Sequence, residues 1–560
     1  MKKPGAGALL AVPLFLCGFV AGVFPIFESD LFWHLATGRW ILAHGAPPRV
    51  DPFRFTSGDA PWIDHEWLFQ VLVRAVEAVG GLDALILLRA AALGGFTLLL
   101  FVSARRAGLA AGLAGLIALG AAFGVRPRFL VRPEIVTLYG IVLLFLALEK
   151  PVRPAALAGL VVAWVQFHGE ALLAPVLAFL FLVGAALDTR AERSRPRSAR
   201  ALAASILGLP ALLALALLAN PYGWRLIAVP LGIARALGDL PAINPEWASA
   251  WSAPQPFLFA GIGMVAALAA FARRATGRWT ALAWGLPTLF LALLALSAVR
   301  HQALFYAAAA PFAARCLAAL PETRSLGPRG ELRLALAAAW WAVSPPSSGP
   351  LRPRHGGLSW GFGLAGGRFP VHAAEILAAH PDVAPLYNEF SHGGYLLWRL
   401  HPPRRVFLDG RMELDPRLLH EIARARRSAG DWDAFLAREG AVGALVRYEE
   451  RPLPVLEPDA SGRLRPVALA TANNLLFPPE RWQLVEWDDE TQLFLRPGAP
   501  GWSAEPYRLV RPEDPGALLA RAAADPDFRA AALAEVERKL AGQPDCRRAQ
   551  RLRDALAELR

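Results

Sequence analysis

The sequence predicts a polytopic α-helical membrane protein with about eleven transmembrane helices, a C-terminal extracytoplasmic α/β domain and a helical tail. Three observations support this prediction. The chain has 560 residues, of which 55% are hydrophobic. Long uncharged apolar runs fill its first part, most of them close to the roughly 20 residues that a membrane-spanning helix needs. After Pro345 and Pro346 the composition becomes that of a soluble domain, with short apolar segments between charged ones.

The charge pattern indicates how the chain is oriented in the membrane. The formal net charge is +12, but the arginines are concentrated in short loops between apolar runs, as the positive-inside tendency predicts. Nucleic-acid binding is excluded because no module combines basic and aromatic residues. The three cysteines lie far apart in the sequence, so they indicate neither a disulfide framework nor a zinc site.

The transmembrane region is predicted to span residues 1–345, and its first apolar run is expected to be an uncleaved helix. The predicted spans are 8–27, 82–103, 107–125, 133–149, 155–167, 170–187, 201–219, 255–272, 280–298, 303–320 and 334–345. The run 155–187 is divided in two because a single span would place the arginine-rich segment 188–200 outside. The outer loops are then 28–81, 126–132, 168–170, 220–254 and 299–302, and the chain after about residue 346 is also outside.

The first outer loop, 28–81, is the predicted catalytic loop. Its candidate catalytic residues are Glu28, Asp30, His34, Asp64, His65 and Glu66. Ionisable groups at a membrane face are costly unless they are solvated or paired, so such a cluster indicates function. Asp30 and His34 are four residues apart and can share one face of a helix over 31–43. The carboxylate is then a general base, a ligand of a divalent metal together with His34, or only the N-cap of that helix.

The later outer loops supply cations and imidazoles. The candidate substrate-binding residues are Arg126, Arg132, His168, Glu170, Arg300 and His301. Guanidinium groups match phosphate oxygens, and three arginines on an outer loop (Arg128 is the third) depart from the positive-inside tendency. The alternative is that these arginines extend to lipid headgroups.

The soluble region is divided into a linker 346–370, an α/β domain 371–500 and a helical tail 501–560. Strands are predicted at 384–389, 394–399, 405–409, 441–448, 482–487 and 492–496, and helices at 416–428 and 431–438. Asn388, Tyr395, Asp409 and Arg411 lie at or beside predicted strand ends, where ligands tend to bind in α/β layers. We therefore expect these four residues to bind substrate or to dock the domain against the membrane site.

The chain resembles the glycosyltransferase-C (GT-C) superfamily, integral membrane enzymes that take a sugar from a polyprenyl-phosphate carrier. The resemblance rests on Glu28-Ser29-Asp30 directly after the first span, on DLFWHLATGRWILAHGAPPRVDPF with PWIDHEWL, and on NEFSHGGYLLWRL and RRVFLDGR. It covers residues 8–500 and implies that Asp30 is the catalytic carboxylate and that outer-loop arginine and histidine residues hold the lipid phosphate. It also implies an inverting transfer in the inner membrane of a bacterium, to a lipid, glycan or protein acceptor of the cell envelope.

Two departures from better-known members limit what the resemblance implies. The acidic pair is Glu-x-Asp instead of adjacent Asp-Glu, so no cofactor is assigned, although a divalent metal ion is compatible with the loop. The soluble domain lacks the Trp-Trp-Asp acceptor motif of oligosaccharyltransferases. Three alternatives stay open: a ligase that transfers a whole glycan from a pyrophosphate carrier, a transporter of lipid-linked glycans, and a non-catalytic scaffold for cell-envelope partners.

Overall fold

A computed structural model describes residues 6–56, 60–150, 153–191, 199–236, 245–252, 255–277, 279–323, 360–411, 416–449, 452–458 and 464–559. The chain forms two compact units. The first, called the helical unit here, comprises residues 1–28, 37–47 and 63–364. The second, the α/β unit, comprises residues 29–36, 48–62 and 365–560. The predicted span 334–345 and most of the linker lie outside the described residues.

Helices account for almost all regular structure in the helical unit. They are α1 (Ala6–Gly22), α3 (Trp67–Arg106), α4 (Ala111–Val125), α5 (Glu134–Leu148), α6 (Pro154–Phe167), α7 (Ala174–Ala191), α8 (Ala199–Ala216), α9 (Ala228–Ala236), α10 (Pro256–Thr276), α11 (Leu282–Ser297) and α12 (Gln302–Ala318). Helix α2 (Asp30–His44) contributes its first seven residues to the α/β unit and the others to the helical unit.

The apolar runs coincide with observed helices wherever the structure describes them. Within the described residues, three helices are long and apolar enough to cross a membrane, namely Trp67–Arg106, Gly169–Asp188 and Pro256–Thr276. The predicted division of 155–187 is observed, since α6 ends at Phe167 and a 3₁₀ turn at Gly169–Leu173 precedes α7.

Helix α3 joins a loop helix to a membrane-length helix through a kink. Gly80 and Gly81 have non-helical backbone angles there, and Gly81 adopts φ 65° and ψ −160°. Residues with a Cβ atom rarely adopt that region, so this bend requires glycine.

Small residues allow the helices of the helical unit to approach closely. A Cβ atom on Gly22 of α1 would lie 2.6 Å from the Cα atom of Ala90 in α3, and one on Gly140 of α5 would lie 2.6 Å from the Trp164 ring. Large apolar side chains are exposed elsewhere on the unit, with Met264 and Phe271 of α10 at 61% and 58%. Close contacts through small residues and apolar outer faces are both typical of helices in lipid.

The α/β unit contains a four-stranded sheet with the order β1-β2-β6-β5 and a separate hairpin of β3 and β4. The strands are β1 (Leu386–Asn388), β2 (Gly443–Arg447), β3 (Pro452–Pro458), β4 (Leu464–Thr471), β5 (Gln483–Trp487) and β6 (Thr491–Leu495). β1 and β2 are parallel, and the pairs β2–β6 and β5–β6 are antiparallel. The helices after α12 are α13 (Val371–Ala379), α14 (Phe390–Leu400), α15 (Pro416–Ala425), α16 (Ala429–Arg438), α17 (Ala472–Leu476), α18 (Pro515–Ala524), α19 (Pro526–Gly542) and α20 (Arg547–Glu558).

Two strand predictions in this unit are wrong. Residues 394–399 belong to helix α14, because Glu389 ends the extended segment and a helix follows at once. Residues 405–409 form no regular strand. Val406 makes an isolated parallel bridge with Arg54, so its pairing partner comes from the first loop and not from a neighbouring strand.

The helical tail packs into the core of the α/β unit. Leu518 of α18, Val536 of α19 and Leu552 of α20 are buried in the same apolar cluster as Trp482 and Phe494 of the sheet region. Asp489, in the turn between β5 and β6, accepts hydrogen bonds from the backbone N–H groups of the first two residues of α20. The tail helices therefore form part of this unit's fold.

Candidate functional site

The candidate residues fall into two groups, one in each unit. The helical unit holds Glu28, Asp64, His65, Glu66, Arg126, Arg132, His168, Glu170, Arg300 and His301. The α/β unit holds Asp30, His34, Asn388, Tyr395, Asp409 and Arg411.

Four of the candidates in the helical unit form a cluster of imidazoles and carboxylates. Glu66 Oε1 lies 3.5 Å from Nε2 of His65 and 3.7 Å from Nε2 of His168. His168 Nδ1 lies 3.5 Å from Glu170 Oε2 and 2.7 Å from the Thr137 hydroxyl. Burial and then the positive charge of His65 lower the pKa of His168 to about 3. His168 is therefore neutral at physiological pH.

Asp64 lies directly before this cluster in the sequence and is 1% exposed. Its Oδ1 accepts a 2.6 Å hydrogen bond from the Gln70 side chain, and its Oδ2 has no hydrogen-bond partner among the described residues. Burial, followed by the negative charge of Glu66, raises the pKa of Asp64 to about 7. Asp64 can therefore gain or lose a proton near neutral pH.

Arginines from the loop 126–132 are paired with carboxylates from two other segments. Arg128 lies 3.1 Å from Glu134 Oε2 and 2.7 Å from Glu246 Oε1, and Arg132 lies 3.2 Å from the same Glu246 oxygen. Burial alone would raise the pKa of Glu246, but the attraction of Arg132 and Arg128 lowers it below its usual value. Burial alone would also lower the pKa of Arg128, whereas Glu134 and Glu246 raise it. Glu246 and Arg128 are consequently ionised throughout the physiological pH range.

Arg300 and His301 lie beside the same segment. The Arg300 guanidinium stacks over the Trp247 ring at 4.2 Å, and the His301 ring lies 6.2 Å from that ring. Burial, followed by the positive charge of Arg300, lowers the pKa of His301. Trp247 follows Glu246 directly in one short turn. This turn orients the Arg300 guanidinium by stacking, and it orients two further guanidiniums by ion pairing with Glu246.

Two predicted site residues have backbone contacts. Glu28 accepts hydrogen bonds from the N–H groups of Phe27 (3.2 Å) and Val131 (3.1 Å). Arg126 Nε donates to the Ala21 carbonyl at 2.8 Å, and Arg89 Nε donates to the Gly22 carbonyl at 3.0 Å. These two guanidiniums satisfy carbonyls in the last turn of α1, where cations are stabilising.

In the α/β unit, Asp30 is the first residue of α2 and lies against Gly410. A Cβ atom on Gly410 would be 2.5 Å from Asp30 Oδ1 and 3.0 Å from Trp33 Nε1. His34 is buried, with its ring centroid 3.7 Å from that of Trp33. The predicted helix over 31–43 is observed, so Asp30 and His34 lie one helical turn apart.

Beside Asp30, buried ion pairs connect the first loop to the segment around Gly410. Arg411 NH2 lies 2.5 Å from Asp409 Oδ2, and its NH1 lies 3.0 Å from Asp51 Oδ1. Arg54 Nε donates to the other Asp51 oxygen at 2.7 Å. Burial would raise the pKa of Asp51, but Arg411 and Arg54 lower it. Burial would lower the pKa of Arg411, but Asp409 and Asp51 raise it.

Asn388 and Tyr395 make intramolecular contacts in this unit. The Asn388 side chain donates to the Leu408 carbonyl and accepts from the Phe407 N–H, both at 2.8 Å. Tyr395 is buried with its ring 5.0 Å from that of Phe32. These contacts do not test a role in substrate binding, which stays a prediction for both residues.

Sequence reasoning did not assign several residues that complete these groups. They are Asp51, Arg54, Gln70, Thr137, Glu134, Glu246 and Gly410. A charged residue at an interface needs a partner, so the three arginines of 126–132 were a signal that carboxylates such as Glu246 would be close. Within the described ranges, no three histidine, cysteine, aspartate or glutamate side chains are arranged to hold a metal ion.

No protein-family profile and no curated protein matches this sequence. Solved structures match it by fold. The oligosaccharyltransferase AglB of Archaeoglobus fulgidus, in complex with an inhibitory peptide and a dolichol-phosphate, has a TM-score of 0.54 at 10% identity, covering 83% of this chain and 74% of that chain. The A. fulgidus oligosaccharyltransferase in complex with Zn and sulfate has a TM-score of 0.50 at 11% identity, covering 83% and 72%. These neighbours are GT-C-type enzymes, and the chain shares their fold.

Proposed function

We propose that this protein is an integral membrane glycosyltransferase of the GT-C type, which transfers a sugar or glycan from a polyprenyl-phosphate carrier to a cell-envelope acceptor. The observation that carries the proposal is the fold shared over 83% of the chain with an oligosaccharyltransferase solved with dolichol-phosphate, itself a polyprenyl phosphate. The apolar outer faces of the helices and the acidic loop after the first helix agree with it.

Asp30 is the proposed proton acceptor. In the reaction, the acceptor hydroxyl gives its proton to the Asp30 carboxylate, and the hydroxyl oxygen forms a bond to the anomeric carbon of the donor sugar. The bond from that carbon to the phosphate oxygen breaks, and the polyprenyl phosphate leaves with the electron pair. The attack comes from the face opposite the leaving phosphate, so the configuration inverts. A positioned general base typically contributes about 100- to 10,000-fold to such a step.

The arginine group of the helical unit is proposed to bind the carrier phosphate. Arg128 and Arg132 share the Glu246 carboxylate, whose two oxygens resemble those of a phosphate. Guanidinium forks bind either group through paired hydrogen bonds. Glu246 therefore holds the two arginines in position and competes with the phosphate for them. Arg300 and His301 complete the proposed anion site, and the His65, Glu66, His168 and Glu170 cluster is assigned to the sugar hydroxyls.

A second candidate is transfer of a whole glycan from a pyrophosphate-linked carrier. The observation that favours it is that the fold neighbours are oligosaccharyltransferases. Three arginines with two carboxylates could accommodate the additional charge of a pyrophosphate once Glu246 is displaced.

The neighbour solved with Zn and sulfate makes a divalent metal ion compatible with this fold. The described residues of this chain present no three-ligand set for such an ion. The proposed location is the inner membrane of a bacterium, with the α/β unit outside and with membrane lipids and cell-envelope assembly proteins as partners.

Turnover by the purified protein tests the proposal. Wild-type protein in lipid nanodiscs is incubated with radiolabelled polyprenyl-phosphate sugar, and separately with polyprenyl-pyrophosphate oligosaccharide, in the presence of envelope extract as acceptor. We expect labelled product from one of the donors, and loss of that product in Asp30→Asn with unchanged expression. The exposed Asp527→Asn, in the tail, is the control and retains turnover. An Asp30→Asn protein as active as wild type would remove Asp30 from the mechanism, and no turnover of either donor would remove the proposed function.

A further inference from the structure

Two glycines of the α/β unit, Gly394 and Gly410, lie against the start of helix α2, and a third, Gly393, lies against the segment that precedes Gly410. A Cβ atom on Gly394 would lie 2.6 Å from the Ser29 carbonyl oxygen, and one on Gly393 would lie 1.9 Å from the Leu408 carbonyl oxygen. A Cβ atom on Gly410 would lie 2.5 Å from Asp30 Oδ1. Contacts under 3.0 Å are far inside van der Waals distance, so none of the three positions accepts a side chain unless something moves.

The atom nearest to the added Cβ is a backbone atom at two of these positions and a side-chain atom at the third. Gly393 and Gly394 face backbone atoms, which cannot move without disturbing the packing of α14. Gly410 faces the end of the Asp30 side chain, and next the Trp33 indole nitrogen at 3.0 Å. A methyl group at Gly410 would therefore displace the Asp30 carboxylate while the backbone stays in place.

The chain segments before and after Gly410 are both fixed by hydrogen bonds. On one side, Asn388 fixes the preceding segment through the Phe407 N–H and the Leu408 carbonyl. On the other, the Arg411 N–H and Nε both donate to Asp409 Oδ1, at 3.0 and 2.8 Å, so the turn around Gly410 is closed by a buried ion pair.

The first loop adds a second set of constraints on the same turn. Arg411 pairs with Asp51 at 3.0 Å, and its guanidinium stacks over the Trp62 ring at 4.4 Å. Trp62 packs in turn against Trp33, with ring centroids 6.4 Å apart. Buried ion pairs hold a geometry firmly, because losing either partner leaves an uncompensated charge.

We propose that Gly410 is a positioning residue, held in place by Asn388, Asp409 and Arg411, which sets the location of the Asp30 carboxylate. The α/β unit then has a role beyond docking an acceptor, because it provides the surface against which the proton-accepting group rests. This inference rests on the proposed function for its catalytic part, whereas the contact between residues 30 and 410 can be tested independently.

The first experiment tests that contact without any assay of transfer. Cys17, Cys316 and Cys546 are replaced by alanine, and Asp30→Cys is combined with Gly410→Cys. Asp30 Oδ1 is two bonds from its own Cβ atom and 2.5 Å from the position of a Cβ atom on Gly410. The two Cβ atoms are therefore at most roughly 5 Å apart, close to the separation of roughly 4 Å found in disulfides. Mild oxidation of membranes should give a peptide pair linked through residues 30 and 410, detected by mass spectrometry, and neither single-cysteine variant should give it.

The second experiment measures turnover. Gly410→Ala should lower kcat by about 100-fold, the cost expected of a misplaced catalytic group, with the donor KM within about twofold of wild type. Its thermal unfolding midpoint in detergent should match that of wild type. The control is Gly366→Ala in the same unit, where a Cβ atom would meet nothing within 4 Å, and it should retain wild-type kcat and KM.

The outcomes separate the two proposals. If the cysteine pair does not form, or if an active protein tolerates Gly410→Ala with unchanged kcat, the positioning role of Gly410 is wrong. A parallel loss of kcat and of thermal stability in Gly410→Ala would also overturn it, since that result describes a packing residue. If the wild type turns over neither donor, the proposed function fails, and the positioning proposal is then decided by the disulfide alone.

Discussion

The charge of Asp64 responds to pH near neutrality. Burial and the nearby Glu66 raise its pKa to about 7, well above the value near 4 of an aspartate in an unfolded chain. The folded protein therefore holds this proton more tightly than the unfolded chain does. The resulting stabilisation is complete below about pH 4 and is lost as the pH rises through about 7.

Asp64→Asn should remove this pH dependence. The amide keeps the shape of the carboxyl group and its acceptor for Gln70 but carries no charge. We expect the variant to unfold at a higher temperature than wild type at pH 8 and to differ less from it at pH 5, as measured by thermal unfolding in detergent. Asp527→Asn serves as the control. If the unfolding temperature of Asp64→Asn depended on pH as that of wild type does, another group would be responsible for the pH dependence.

Arg411 is the best test of the buried charges in the α/β unit. It is fully buried between Asp51 and Asp409, so Arg411→Gln leaves Asp409 without its cation and Asp51 with Arg54 alone. We expect a loss of about 3–5 kcal/mol in the free energy of unfolding of this unit. The matched control is Arg438→Gln, because Arg438 pairs with Glu421 at the surface, where such pairs contribute about 0–1 kcal/mol.

Unfolding in denaturant measures the stability of both variants, with the susceptibility of the α/β unit to protease as the readout. The expected result is a large shift of the midpoint for Arg411→Gln and almost none for Arg438→Gln. Equal shifts would mean that the buried cluster is no more important to folding than a surface pair.

At the scale of elements, the kink of α3 depends on one glycine. Gly81 has φ 65° and ψ −160°, and a Cβ atom there would meet nothing within 4 Å. The cost of Gly81→Ala is therefore conformational, about 1–3 kcal/mol. Gly120 of α4 also has open space around it, without a positive φ, so Gly120→Ala is expected to be neutral or slightly stabilising.

Thermal unfolding of the two alanine variants in the same detergent separates these effects. A lower unfolding temperature for Gly81→Ala alone is expected. If both variants unfolded like wild type, the kink would not need the left-handed conformation of Gly81.

Helix positions were the part of the fold most accessible from sequence. Apolar runs bounded by arginine, glycine or proline predict membrane helices because the apolar length is set by the membrane itself. The error at 394–399 has a different origin. Gly393 and Gly394 are typical of a turn before a strand, but here they allow a helix to pack closely against other backbone, and only the tertiary partner distinguishes the two uses.

The sequence selects candidate site residues by type, and their roles stay predictions, but it does not indicate how they pair. The sequence indicates an acidic first loop and cationic outer loops, which is enough to select Asp30, His168 and Arg132. It does not indicate that Glu246 pairs with Arg128 and Arg132, or that Arg411 pairs with Asp51, since these partners are far apart in the chain. Long-range pairing is set by the packing of whole units.

At the scale of the whole molecule, the C-terminal tail is expected to be indispensable to the α/β unit. Phe528, Val536 and Leu540 of α19 are buried in the unit's main apolar cluster. Truncation after Glu513 would expose that cluster to water, at a cost of roughly 1.5–3 kcal/mol for each large apolar side chain. We expect the truncated protein to aggregate or to be degraded, as followed by membrane yield and protease resistance.

A truncated protein with normal yield and protease resistance would show that the tail is an appendage. The control is deletion of residue 560 alone, which follows the last helix and leaves Leu559 in place. It should leave both measurements unchanged.

The interleaving of the two units has a consequence for biosynthesis. The Thr56 hydroxyl donates to the Phe407 carbonyl, 351 residues later in the chain. At a synthesis rate of roughly 5–20 residues per second, the ribosome needs about 20–70 s to reach that partner. During this interval, residues 29–36 and 48–62 have left the ribosome, while the surfaces that bury Asp51 and Arg54 do not yet exist. The loop that carries Asp30 is thus made long before its partners and can fold only after they have appeared.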